Sequence, residues 1–175
     1  TLTVDGIDVY DLKSEQRADF RREFLGFVFQ SFHLIPYLTL LENVMLPLTT
    51  IRMPKSEKRR KAQAALDRVG LGGKGERLPG EASGGEKERC AIARAIVTDP
   101  KLIVADEPTG DLDRKSADEI LGLLEKLNKE FDKTIIMVTH DPVAADRAKR
   151  VHHLDKGALK DDDAQEADKA EGDAA

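Results

Sequence analysis

"ASGGEKERCAIARAIVTDPKLIVADEPTGDLD" (Ala82–Asp113) decides the fold. A Ser-Gly-Gly turn opens a helix of small and aliphatic residues, expected over Gly85–Val97. An Asp-Pro turn follows, then the aliphatic strand "LIVA" (Leu102–Ala105), which ends directly on Asp106 and Glu107. Downstream, Ala117, Ile120, Leu121, Leu124 and Leu127 recur at helical spacing and lead into a second strand, "TIIMV" (Thr134–Val138). Strands of unbroken aliphatic residues that alternate with helices imply an α/β fold, its sheet mostly parallel and covered by helices on both faces.

Working upstream, "LGFVF" (Leu25–Phe29) reads as a short buried strand after a charged, helix-like segment, Ser14–Glu23. From Pro36 to Gly80 the pattern is helical, with Ala62, Ala65, Leu66 and Val69 on one face and Gly70 as its C-terminal stop. No strand signal interrupts this stretch, so a helical subdomain is expected over about residues 36–97. The chain opens with "TLTVDGIDVY", two β-rich runs around Asp5-Gly6 that predict an antiparallel hairpin. "VHHLDKGALK" (Val151–Lys160) predicts another.

Composition bounds the rest. A chain of 175 residues suits one domain, expected over residues 1–159, with a net charge of −5. Residues 160–175 hold seven acids against two lysines and carry the whole imbalance. Such a tail lacks the apolar surface to offset ordering entropy and is expected to be disordered. No basic face advertises nucleic acid, and no nucleic-acid partner is expected. The single Cys90 excludes an internal disulfide and reads as a small buried apolar group. The most apolar run, Leu34–Leu48, is interrupted by Pro36, Glu42, Asn43 and Pro47 and is too short for a membrane span.

The chemistry-bearing residues fall at the carboxyl ends of strands, where open α/β sheets place ligands. Adjacent carboxylates at a strand end suit a metal-nucleotide site, the first holding Mg²⁺ and the second orienting or deprotonating a water. Ser83, Gly84 and Gly85 combine a capping hydroxyl, room for close approach and unpaired amides at a helix start, which together form an anion cradle. Each feature alone has a plainer reading, as a loop opener and as an ordinary capped helix.

In the order "GFVFQSFHLIP", "ASGGE", "ADEPTGDLD" and "VTHD", these segments resemble the ATP-binding subunit of ABC transporters. The resemblance covers nearly the whole of residues 1–159 and is closest to the lipoprotein-releasing and macrolide-exporter branch. It implies a P-loop NTPase-like core with an N-terminal antiparallel β piece and an inserted helical subdomain. It implies ATP and Mg²⁺ as cofactors, a head-to-tail homodimer, a membrane permease docking near Gln30–Val44, and a cytoplasmic location on the inner face of the cell membrane. Carried onto this chain, Gln30 matches the Q-loop glutamine that senses Mg²⁺ and the attacking water. Ser83, Gly84, Gly85 and Glu86 match the signature that caps the γ-phosphate of ATP bound to the opposite subunit. Asp106 matches the Mg²⁺ carboxylate, Glu107 the general base, Asp113 the D-loop aspartate at the dimer interface, and His140 the switch histidine. Ala82 stands where the family more often has leucine, and Glu86 where it often has glutamine. His33 falls in the Q-loop, while His152 and His153 have no partner at metal spacing.

No G-x-x-x-x-G-K-[ST] phosphate loop occurs in the sequence. "GLGGKGE" (Gly70–Glu76) fails, because Arg68 stands at the first glycine, Gly75 at the hydroxyl position, and a helix precedes it. That cluster reads as a helix stop. The chain thus looks like such an ATPase without its N-terminal strand, phosphate loop and following helix, and it is expected to be inactive alone. Two other readings are open: a non-transport ABC ATPase acting in cell division or on DNA, and a non-catalytic docking protein with the same fold. The short, heptad-free gap between Gln30 and Ser83 argues against the DNA-repair type, and the joint presence of Gln30, Glu107 and His140 against a decayed protein.

Overall fold

The computed structural model describes residues 2–160, which fall into two compact units meeting in sequence at Thr139 and His140. The first unit opens with the hairpin β1 (Thr3–Val4) and β2 (Ile7–Asp8), turned by Asp5 and Gly6 with both φ angles positive, at 52° and 80°. Paired positive φ values give the turn whose twist matches flanking strands. The strands are shorter than the β-rich runs suggest, because the Asp8 carboxylate accepts from the Tyr10 amide and coils Val9–Asp11 into a 3-10 turn.

Helix α1 (Ser14–Phe24) leads into β3 (Leu25–Phe29). Between β3 and the next strand the chain is helical: α2 (Leu40–Met45), a 3-10 turn Leu46–Thr50, α3 (Lys55–Arg68), a 3-10 turn Pro79–Glu81 and α4 (Gly84–Ile96). The breaks have local causes. Pro47 stands at the start of the 3-10 turn Leu46–Thr50 and Pro54 at the N-terminus of α3, while Gly70 at φ 75° closes α3. Strands β4 (Leu102–Asp106) and β5 (Thr134–Val138) flank α5 (Arg114–Phe131).

The sheet is parallel, in the order β3-β4-β5, with Phe29 opposite Asp106 and Asp106 opposite Val138. Its core joins Val28, Ile103 and Ala105 to Cys90, Ile92 and Ala93 of α4 and to Ile120, Leu124 and Leu127 of α5. Gly26 makes the α4 contact possible, since a Cβ there would lie under 3 Å from the Ala95 carbonyl oxygen. Cys90 is wholly buried as expected, and burial pushes its thiol up to about 12. The expectation of cover on both faces fails at β5. Ile136 is 47% and Val138 56% exposed, and among the described residues no strand pairs with the second edge of β5.

The second unit holds α6 (Pro142–Ala145), started by the Asp141 carboxylate accepting from the Val143 amide, and the hairpin β6 (His153–Asp155) and β7 (Ala158–Lys160). Lys160, expected in the tail, closes β7; the remainder of the acidic tail, 161–175, lies outside the described residues.

Candidate active site

Three expected site residues of the first unit gather at the carboxyl end of the sheet. The Phe29–Asp106 register sets Gln30, the next residue of its chain, beside the end of β4. Asp106 is the last residue of that strand and is exposed. Glu107 leaves the strand in the left-handed region at φ 45°, its amide donating to Val138 O at 2.9 Å and its carbonyl accepting from Gly110 N at 3.1 Å. A side chain in that region costs about 1 kcal/mol and persists where surrounding bonds fix it. The Thr139 hydroxyl donates to Glu107 Oε2 at 3.1 Å, so the carboxylate is aimed by the residue that follows β5 as well as by its own turn.

The turn 107–113 carries this site to the second group. Gln30 Nε2 donates to Asp111 Oδ1 at 3.1 Å, and Leu112 packs beside Gly84, where a Cβ would lie 3.3 Å from Leu112 Cδ2. A Cβ on Gly85 would meet the Ser116 side chain at 3.3 Å, and Arg89 pairs with Glu119 at 2.9 Å. The two glycines, expected to admit a phosphate, therefore also admit Leu112 and the first turn of α5 from their own chain. Asp113 caps α5, accepting from Ser116 N at 3.1 Å and Ser116 Oγ at 2.7 Å, which holds its carboxyl below the usual range.

Ser83 and Glu86 form a reciprocal capping box: Glu86 N donates to Ser83 Oγ at 3.2 Å and Ser83 N to Glu86 Oε2 at 2.8 Å. The other Glu86 oxygen accepts from Lys74 Nζ at 2.6 Å, with Arg77 at 3.9 Å. The Lys74 bond, then the Ser83 amide, hold this carboxyl down at about 2. Glu86 thus secures the signature turn onto the segment after α3. The glycine cluster there, legible only as a helix stop, supplies that lysine.

Sequence reasoning also missed Asp111, Thr139 and Glu88. Glu88 is wholly buried in α4, and neither carboxylate oxygen has a hydrogen-bond partner among the described residues; burial pushes it up to about 8. After Gln30 the chain turns through Phe32 and His33, both left-handed at φ 56° and 47°, and Arg94 of α4 donates to both of their carbonyls. His33 meets the Phe29 ring edge-on at 5.2 Å, and Phe32 is half-buried. Tyr37 is 78% exposed. His140 opens the second unit and is exposed.

Among the described residues no three His, Cys, Asp or Glu side chains cluster as a metal cage. An exposed strand-end carboxylate beside a glutamine amide is instead a sparse set of hard oxygen donors, which fits Mg²⁺ held largely by phosphates and water. No helix of the described residues is long and apolar enough to cross a membrane.

The family model described as "ABC transporter" matches residues 1–110. YvrO of Bacillus subtilis (strain 168), an uncharacterized ABC transporter ATP-binding protein, is 48% identical over 159 residues, spanning 91% of this chain and 69% of that protein. The lipoprotein-releasing system ATP-binding protein LolD of Bordetella pertussis (strain Tohama I) is 42% identical over 162 residues, covering 93% of this chain and 70% of LolD. Among solved structures, the dimeric post-hydrolysis state of the ATP-binding cassette MJ0796, bound to ADP and Pi, aligns with a TM-score of 0.77 at 41% identity, over 90% of this chain and 69% of that one.

Proposed function

The chain belongs to the ABC transporter family, and from that premise we propose that it is an ATP-hydrolysing subunit of an exporter or lipoprotein-extraction system. Two copies would close head to tail around two Mg-ATP and pass the closure to a membrane permease, working at the cytoplasmic face of the membrane. The observation that carries this reading is the convergence of Gln30, Asp106 and Glu107 at the carboxyl ends of β3 and β4, with Glu107 aimed by Thr139.

Each side chain then has a task its surroundings suit. Asp106 and the Gln30 carbonyl oxygen would hold Mg²⁺, which supplies charge neutralisation for the β- and γ-phosphates. Glu107 accepts the proton of the attacking water. The backbone amides after Ser83 offer donors to the γ-phosphate of the opposite subunit's ATP. Asp113 lies at the interface between copies, and His140 contacts the γ-phosphate. Gln30–Val44, with Tyr37 projecting into solvent, is the permease-facing segment. The likeness to LolD supports the extraction system, and the dimeric cassette bound to ADP and Pi supports the paired arrangement.

Glu107→Gln tests the central assignment. The amide keeps the size and the contact from Thr139 but cannot take a proton. In the full-length protein ATP should still bind while turnover falls by roughly 10² or more. Turnover near the wild-type rate in that variant would remove Glu107 from the base role.

A further inference from the structure

We propose that Asp111 is a positioning residue for the reaction: it fixes the orientation of the Gln30 amide so that Oε1, not Nε2, is the atom presented to the cation. This rests on the functional reading above and assigns a role to a residue of the turn that the family resemblance leaves without one.

An ionised carboxylate can only accept hydrogen bonds, whereas the two ends of a glutamine amide have opposite polarity. The contact of 3.1 Å between the Gln30 amide and Asp111 Oδ1 therefore places Nε2 at Asp111. Oε1 is left on the other side of the amide, and it is the only Gln30 side-chain atom that can ligate a cation. Reversal would bring two acceptors together and expel the amide from its seat.

Both ends of the contact are held. The Asp111 side is a tight turn, with Gly110 N bonded to Glu107 O at 3.1 Å and Leu112 N to Thr109 O at 3.2 Å. The Gln30 side is anchored by the Phe32 amide on Phe29 O at 3.1 Å, and by Arg94 on the carbonyls of Phe32 and His33. The seat is also shaped by steric room. A Cβ on Gly110 would lie 3.0 Å from Gln30 Nε2 and 3.2 Å from its Cδ, so a side chain there would displace the amide. What it would displace is the end of a flexible side chain, so the fold would survive the substitution.

Three variants of the full-length protein test the assignment: Asp111→Ala, which removes the acceptor; Gly110→Ala, which fills the seat; and Asp106→Asn as a control on the metal site. The first readout is the side-chain amide proton pair of Gln30 in a ¹⁵N spectrum, identified by its loss in Gln30→Ala. Displaced from Asp111, this pair should move toward the shifts of a solvated glutamine in both Asp111→Ala and Gly110→Ala. The second is the Mg²⁺ concentration giving half-maximal ATPase activity at saturating ATP, which should rise about threefold or more in the same two variants. Unchanged amide signals, or an unchanged Mg²⁺ requirement in both variants while Asp106→Asn raises it, overturn the role of Asp111 and leave the functional reading intact. An Mg²⁺ requirement that Asp106→Asn does not alter overturns both.

Discussion

Two glutamates two positions apart in the signature helix have opposite electrostatic fates. Glu86 is held down at about 2, by Lys74 first, so its contribution to stability is complete above the ordinary 4.5 and is lost as pH falls toward about 2. Glu88 is pushed up to about 8 by burial, against an ordinary 4.5. Between those two values the unfolded chain has released a proton that the fold retains. Stability therefore declines as pH rises from about 4.5 to about 8, and the loss is complete above that. The charge of Arg94 opposes the rise and that of Asp111 adds to it. Urea midpoints measured from about pH 5 to about pH 9 should fall for the wild type and stay nearly level for Glu88→Gln. Parallel slopes in the two proteins would assign the alkaline loss to another group. The sequence displays Ser83 and Glu86 openly, because a hydroxyl and a carboxylate three apart form a capping box by local geometry. Glu88 is different: a charged residue in "EKERC" reads as solvated, and only the packing of α2, α3, β3 and α5 around α4 buries it.

At the level of elements, β3 and β5 stand where their aliphatic runs place them, and α4 begins one residue before the expected Gly85, since Ser83 is its cap. What the sequence hides is the interval between elements. Gly26 in β3 reads as a weak point in a strand, yet the close approach of α4 depends on it. Gly26→Ala would drive a Cβ against the backbone oxygen of Ala95, which cannot rotate away, so α4 must shift from the sheet. The expected cost is about 3 kcal/mol. Gly122 lies exposed within α5, with no atom within 4 Å of the place a methyl would take, and Gly122→Ala should raise stability by about 1 kcal/mol through the helix preference of alanine. Chemical denaturation of the two variants should move the midpoint in opposite directions. A Gly26→Ala protein as stable as wild type would mean that α4 does not lean on β3 through this contact. Gly85 belongs to the same class, since its missing side chain leaves room for Ser116 and couples the signature turn to the D-loop within one subunit.

Across the whole molecule, the parallel order of the sheet is legible from strand–helix alternation, but the bare side of β5 is not. "TIIMV" has no polar alternation to mark which face is covered, and the exposure of Ile136 and Val138 emerges only from the arrangement of the other elements. An edge with no strand paired to it among the described residues, bearing two exposed aliphatic side chains, is adhesive. Residues 1–175 alone should therefore self-associate, and the double variant Ile136→Lys, Val138→Lys should sediment as a smaller species. Equal sedimentation of the two would place the contact elsewhere. Nucleotide affinity is set at the carboxyl end of the sheet. The described site offers a triphosphate two carboxylates, Asp106 and Glu107, and the neutral Gln30, and the Glu86 signature turn engages Lys74 internally at 2.6 Å. A row of amides with a lysine for the β- and γ-phosphates would outweigh that repulsion, but the sequence contains no G-x-x-x-x-G-K-[ST] segment. Mg²⁺ relieves only part of the repulsion, because it must itself be held at the site by Asp106 and Gln30. Residues 1–175 by themselves should accordingly bind no Mg-ATP that titration calorimetry can detect at concentrations up to about 1 mM. Micromolar binding by this chain would mean that groups other than these hold the phosphates.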